Sequence, residues 1–521
     1  MLKSSGAMAA ATLTSRVLGM VRESVYSRFM GDSWVAGAFM LAFLVPNLFR
    51  RLLGEGALTA AFIPIFKEKE RTAGEKEMWR SANAVISGLV VAASVVSVLA
   101  MIGITIALKV HEFPGPTDLM LRLLRVMFPY MVLVCLAAAF MGMLNARNHF
   151  FIPAMGATML NVVMISSVIW FAPRLGLDLP KEQRLPYQIF ALAIGVLAAG
   201  VAQAAFQLPV LWKEGFRYRW VSPWGDETVR RVVRQMIPGA IGVAAFQINV
   251  LLTQSVAFKI APEITASFNY AVRLMELPQG MFGISLATFL LPALSGLAAE
   301  KKYPEFRATL RHGLGMLMFT NLIASILLFL LAEPIVRLIF EGGKFGPDAT
   351  ARASFALMCL SPGLVAFSMV NVLARAFFAL GDTRTPMKVS IACLAVNLIL
   401  SVTLIFPLRQ GGLGIANTIT SVCNLLLLLY ALRRKLGKLE LESLRSTLVP
   451  LAVAGLAATL IAWWGGRFWE QRLGHGTLVL RFGAVFVPAG AAGIVYCLIA
   501  VGLKVPAARE LTGFAFQKLR R

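Results

Sequence analysis

Apolar runs follow one another along the chain, separated by short polar connections. A helix rises 1.5 Å per residue, so about 20 apolar residues cross roughly 30 Å of hydrocarbon. The pattern predicts fourteen spans, at 6–28, 35–66, 82–108, 121–144, 152–173, 187–212, 234–257, 265–298, 309–332, 351–379, 385–407, 412–432, 447–466 and 479–503. Barrel strands would alternate over about ten residues, whereas these runs are continuous. The expected fold class is an all-α polytopic membrane protein. Arg16 and Arg22 interrupt the first run, which therefore does not read as a cleaved signal peptide.

Composition agrees with the pattern. Of 521 residues, 58% are hydrophobic and 15% charged, against about 25% charged in soluble domains. The net charge of +24 is unevenly placed. Basic residues crowd 67–80 (KEKERTAGEKEMWR), 213–234, 301–311, 433–438 and the C-terminal KLRR, while the alternate connections 258–264 and 333–350 are poor in them or balance them with acids. The positive-inside rule puts the basic side and both termini in the cytoplasm. The basic loops are expected to rest on anionic membrane lipid. Nucleic acid is not an expected partner, because no recognition module is visible.

Catalytic chemistry is hard to place in this chain. Cys135, Cys359, Cys393, Cys423 and Cys497 all fall in apolar spans and read as packing residues. The four histidines are scattered without metal spacing, and no phosphate-binding G-x-x-x-x-G-K-[ST] loop occurs. Neither an enzyme nor a bound cofactor is expected.

The chain repeats itself. FPYMVLVCLAAAFMGMLNARNHFFIP recurs as SPGLVAFSMVNVLARAFFALGDTRTP, with Pro129 and Pro153 becoming Pro362 and Pro386, a shift of 233 for both. After the second proline each copy opens an apolar span carrying an asparagine, Asn161 and Asn397. RLLGEGALTAAFIPIF matches RLMELPQGMFGISLATFLLPAL at a shift of 228, from Pro64 to Pro292. Such a shift holds six spans, an even number, so the copies share one orientation, as in transporters built from parallel repeats. Residues 1–220 and 221–438 are then two six-helix lobes. Residues 439–521 add two helices and a basic tail.

Charged residues inside the spans carry the functional signal. Arg16, Arg22, Arg50, Arg51 and Arg273 lie in apolar sequence, near Glu23, Glu55 and Glu276. A charge at a helix centre costs roughly 2.5–3.5 kcal/mol on insertion scales, so these groups should face protein or water. Arg51 and Glu55 are i, i+4 and Arg273 and Glu276 i, i+3, spacings that pair side chains on one face. Arg16 and Glu23, at i, i+7, also share a face, and Arg22 points away from it unless Gly19 bends the helix. Snorkelling or local pairing would account for some of these arginines. Five guanidinium groups against three carboxylates leave a cationic surplus, and the guanidinium fork suits phosphate oxygens. The substrate is expected to be anionic, a phosphate or pyrophosphate.

SRVLGMVRES, PNLFRRLLGEGALTAAFIP and RLMELPQGMFGISLATFLLPALS resemble the MurJ (MviN) lipid II flippases of the multidrug/oligosaccharidyl-lipid/polysaccharide exporter superfamily, over essentially the whole chain. The resemblance implies a monomeric transporter that moves lipid II, an undecaprenyl-pyrophosphate-linked peptidoglycan precursor, from the inner to the outer leaflet by alternating access. It implies substrate-binding roles for Arg16, Arg22, Glu23, Arg50, Arg273 and Glu276, with Arg51 and Glu55 supporting, and a lipid-tail groove from the last two spans. Where some relatives carry an aspartate in span 2, this chain has Gly37. Spans 7, 11 and 12 offer no carboxylate but Gln247, Asn249, Gln254, Asn397, Ser401 and Asn417. These read either as interhelical hydrogen bonds or, for Asn249, Asn397, Ser401 and Asn417, as a monovalent-cation site. Coupling to such a cation or to the membrane potential follows. Other readings are a flippase for another polyprenyl-linked saccharide such as an O-antigen unit, a drug exporter, which should carry surplus carboxylate, and a non-transporting scaffold.

Overall fold

The computed structural model describes residues 2–49, 51, 58–437 and 442–510. Among these the chain is helical apart from turns and one isolated bridge, Gly342–Phe345. It divides into two compact units, Met1–Ala266 and Ser267–Arg521. Among the described residues ten helices are long and apolar enough to cross a membrane, or eleven counting one bent pair. Fourteen spans were expected. The other three fall on helices that do not meet this measure: α1 (Leu2–Met30), which carries the charges, α2 (Trp34–Phe49), only 16 residues long, and α8 (Glu227–Ile260).

In the first unit, α3 (Leu58–Val110) is two helices joined at Gly74, whose φ of 81° needs a residue without Cβ. The connection expected at 67–80 is therefore helical except for that one residue. The fourth span is α4 (Gly115–Met127) and α5 (Tyr130–Ala146), bent by 44° at Phe128–Pro129. Then come α6 (Phe151–Ser166), a π-helical turn at Ser167–Phe171, and α7 (Lys181–Lys213). Phe66, Trp79, Phe140 and Phe216 form an aromatic cluster between α3, α5 and the end of α7. Over it, Arg147 donates to Glu214 (2.7 Å), Glu75 (2.9 Å) and Glu70, while His149 contacts Glu214 at 2.8 Å. The Asp226 carboxylate caps α8, accepting from the Thr228 and Val229 amides. α8 packs on α2 and α3, with Arg231 donating bidentately to Glu68 at 2.7 Å.

The second unit opens with α9 (Pro262–Pro278), which begins in the first. A π-helical turn, Gln279–Ile284, leads to α10 (Ser285–Ala299). Gly283 lets this turn approach Ser368, whose Oγ a Cβ would meet at 2.8 Å. The unit continues with α11 (Tyr303–Leu330), α12 (Ala332–Phe340), α13 (Pro347–Leu360), α14 (Leu364–Ala379), α15 (Arg384–Leu408) and α16 (Gln410–Leu436). The last pair is α17 (Glu442–Arg472) and α18 (Leu478–Gly502). Their small residues make helix contacts: Ala454, Ala458 and Ala462 are fully buried in a cluster with Ala492, Tyr496, Ala500 and Phe319 of α11. Tyr496 donates to the Phe319 carbonyl at 2.8 Å. Small side chains let backbones approach closely, and these alanines fill a helix interface. The large apolar residues of α17, such as Leu456, Leu460 and Trp464, stay exposed.

The duplicated segment has the same local structure in both units. Pro129 and Pro362 stand at helix breaks, and Pro153 and Pro386 in the first turns of α6 and α15. Between them the chain turns through a left-handed residue, Asn148 (φ 66°) in one copy and Gly381 (φ 72°) in the other, the two residue types that adopt this conformation most readily. The next amide closes the turn in each: His149 to the Leu144 carbonyl at 2.8 Å, Asp382 to that of Phe377 at 2.9 Å. A side-chain contact then ties each turn to the end of a later helix: His149 to Glu214, the residue capping α7, and Asp382 to Lys435 (2.7 Å) on α16.

Candidate functional site

In the first unit α1 packs along α6. Arg22 leaves α1 and donates from Nη1 to the Asn161 side-chain oxygen on α6 at 3.0 Å. Its Nη2 reaches the Glu23 carboxylate at 2.5 Å, and its guanidinium carbon lies 5.5 Å from the Tyr26 ring centroid. Asn161 in turn donates to the Ser15 carbonyl at 3.1 Å. Gly19, directly above, leaves ordinary contact distance to the Asn161 amide. α1 is continuous from Leu2 to Met30, and the Arg22 side chain reaches across to α6. Glu23 is 6% exposed, and a carboxylate so buried needs its paired cation. Although i and i+1 positions diverge on a helix, Arg22 folds over Tyr26 to reach Glu23. Arg16, half-buried, has no ion pair or hydrogen bond among the described residues.

The remaining site residues fall as follows. Arg50 and Glu55 lie outside the described residues; Arg51 is described and half-buried. In the second unit Arg273 donates to Glu276 at 2.8 Å, the i, i+3 pair that their spacing predicts, with both side chains partly exposed. It sits on α9 one turn before Pro278 and the π-helical turn, an irregularity common at functional positions.

The neutral polar residues fall in both units. Asn249 is buried on α8 in the first unit. In the second, Asn397 of α15 donates to Asn417 (3.4 Å) and Thr420 (3.5 Å) of α16, and Asn417 donates back to the Leu413 carbonyl at 3.0 Å. Ser401, one turn after Asn397, has a buried hydroxyl with no hydrogen-bond partner among the described residues. This arrangement joins two helices as polar residues do in membrane bundles. No cluster of three or more His, Cys, Asp or Glu that could hold a metal exists among the described residues.

Asn161 entered the sequence reading only as a landmark of the repeat. An amide in the middle of an apolar run must be hydrogen-bonded to be tolerated, but its spacing gives no hint that the partner is Arg22.

Helices broken at prolines and π-turns, with Arg22, Glu23 and Asn161 gathered inside apolar sequence, fit a polytopic transporter. An inward-facing MATE family transporter of the MOP superfamily has this fold, with a TM-score of 0.65 at 14% identity over 82% of this chain and 95% of that one. So does a lipid II flippase MurJ in an inward closed conformation, with a TM-score of 0.78 at 20% identity over 99% of each chain. The probable lipid II flippase MurJ of Vibrio cholerae is 32% identical over 440 residues, 82% of each chain. Residues 26–483 match the family model described as lipid II flippase MurJ, and the chain belongs to that family.

Proposed function

We propose that this protein flips lipid II from the inner to the outer leaflet of the bacterial cytoplasmic membrane, for peptidoglycan synthesis, by alternating access. Family membership makes it a multi-pass inner-membrane transporter of lipid II and not an enzyme. The observation that carries the site reading is Arg22, an intramembrane guanidinium held between Asn161 and Glu23. Arg16, Arg22, Arg50 and Arg273 bind the pyrophosphate, Glu23 and Glu276 hold their arginines, and Arg51 and Glu55 support them. The repeat at 233 residues supports two lobes sharing the work, with the last two helices offering the lipid tail an apolar face. The basic connections support cytoplasmic termini.

An ion gradient or the membrane potential drives the cycle, since moving one charge through 100 mV is worth about 2.3 kcal/mol. Flipping at full rate after both are collapsed would reject that coupling. The site test is growth and outward lipid II exposure in cells depleted of their own flippase. The wild-type chain should restore both, and Ala at Arg16, Arg22, Arg50 or Arg273 should abolish exposure at equal protein level. Four growing alanine variants would end the anion-site reading.

A further inference from the structure

We propose that Asn161 is a positioning residue for the anion site: it fixes the guanidinium plane of Arg22 so that the remaining donors face the diphosphate. The inference rests on the functional reading above and adds a residue on a second helix to it. Arg22 has five N–H donors in a rigid planar fork. One Nη1 hydrogen goes to Asn161 and one Nη2 hydrogen to Glu23, while Nε is buried with no partner among the described residues. The group is anchored at two points and still has donors to spare.

Glu23 alone does not orient it. A carboxylate on the neighbouring residue of the same helix moves with Arg22 and leaves the guanidinium free to swing about its own side chain. Asn161 comes from α6, is 5% exposed, and is itself pinned by its bond to the Ser15 carbonyl of α1. It therefore references the fork to a second helix and ties α1 to α6 about two turns before Arg22. The amide is also the suitable group chemically. It accepts from the guanidinium without cancelling its charge, as a carboxylate there would, and it donates to the backbone with its other end. A bidentate phosphate contact depends on the angle of the fork as well as on charge, so an unanchored Arg22 keeps the attraction and loses the geometry.

The test measures lipid II binding to the purified full-length protein in nanodiscs, with thermal unfolding followed on the same samples. Asn161→Leu keeps the volume and removes both hydrogen bonds; it should weaken binding about tenfold, the scale of one lost charge-assisted bond. Arg22→Lys removes the fork. Combined with Asn161→Leu it should bind no more weakly than Arg22→Lys alone, within about twofold, because Asn161 then has nothing left to position. Arg273→Lys combined with Asn161→Leu should instead show both losses multiplied. Asn161→Gln, which keeps the amide, should recover part of the binding. A general packing role would give the same factor in the Arg22→Lys and Arg273→Lys backgrounds, and that result overturns the proposal. Should Asn161→Leu not fold, the same cycle is run with Asn161→Ala. Wild-type binding by both lysine variants would overturn the anion-site reading, and this proposal with it, a result distinct from the equal-factor outcome.

Discussion

At Gly37 on α2 the space for a side chain is absent. A Cβ on Gly37 would lie 2.2 Å from the Pro262 carbonyl oxygen, 2.8 Å from its carbon and 3.1 Å from its Cβ. Ordinary C···O contacts begin at about 3.3 Å, so Gly37→Ala must push α2 and the start of α9 apart by roughly 1 Å. The obstacle is backbone and cannot rotate away. Overpacking of this kind costs about 1–3 kcal/mol, and a rigid partner puts the cost at the upper end. Ala improves on Gly in a helix by about 1 kcal/mol, leaving a net loss of about 2 kcal/mol. Gly103 on α3 meets nothing within 4 Å, so Gly103→Ala keeps the propensity gain of about 0.5–1 kcal/mol. Thermal unfolding of the purified variants in one detergent should rank Gly103→Ala at or above wild type and Gly37→Ala well below both. Gly37→Asp should fall further, because it brings a carboxylate toward a carbonyl oxygen. A Gly37→Ala protein as stable as wild type would refute the close approach.

Arg147→Met removes three charged contacts at a partly solvated site; at about 0.2–1 kcal/mol each, the loss of about 1–3 kcal/mol should appear as faster amide exchange at 67–80 and 213–217, and unchanged exchange there would count against the network. Acid should release the same anchor. Hydrogen bonds from His149 and then Arg147 hold the Glu214 carboxyl below its ordinary 4.5, and Lys435, followed by the Thr385 amide, takes Asp382 down to about 2. Both carboxyls titrate lower when folded, so their contribution is complete above their ordinary values and lost as pH falls through the folded ones. Exchange at the Glu214 anchor should therefore rise below about pH 4.5, with the Asp382 turn holding until nearer pH 2. Finally, Asn148→Gly should be nearly neutral, whereas Asn148→Val and Gly381→Val should each lose about 1–2 kcal/mol, the cost of a side chain in the left-handed region; equal stability of all three would refute the shared turn geometry.

The sequence by itself determined the class and much of the frame. Hydrophobic run length is a one-dimensional property, because a membrane demands about 20 apolar residues in succession, and among the described residues ten or eleven of the fourteen expected spans fall on helices long and apolar enough to cross one. The repeat was legible for a related reason: its prolines and its Asn148/Gly381 position answer to local backbone geometry, which the residue type alone dictates. The pairing of Arg273 with Glu276 followed from helical period. What the tertiary structure decided were contacts between residues far apart in the chain. Arg22 finds Asn161 across 139 positions. The alanines of α17 and α18 turn out to be an interface. Gly37 is required by a carbonyl of Pro262. Spacing along a helix says which residues share a face. Which other helix that face meets depends on packing, and packing is set by the whole chain at once.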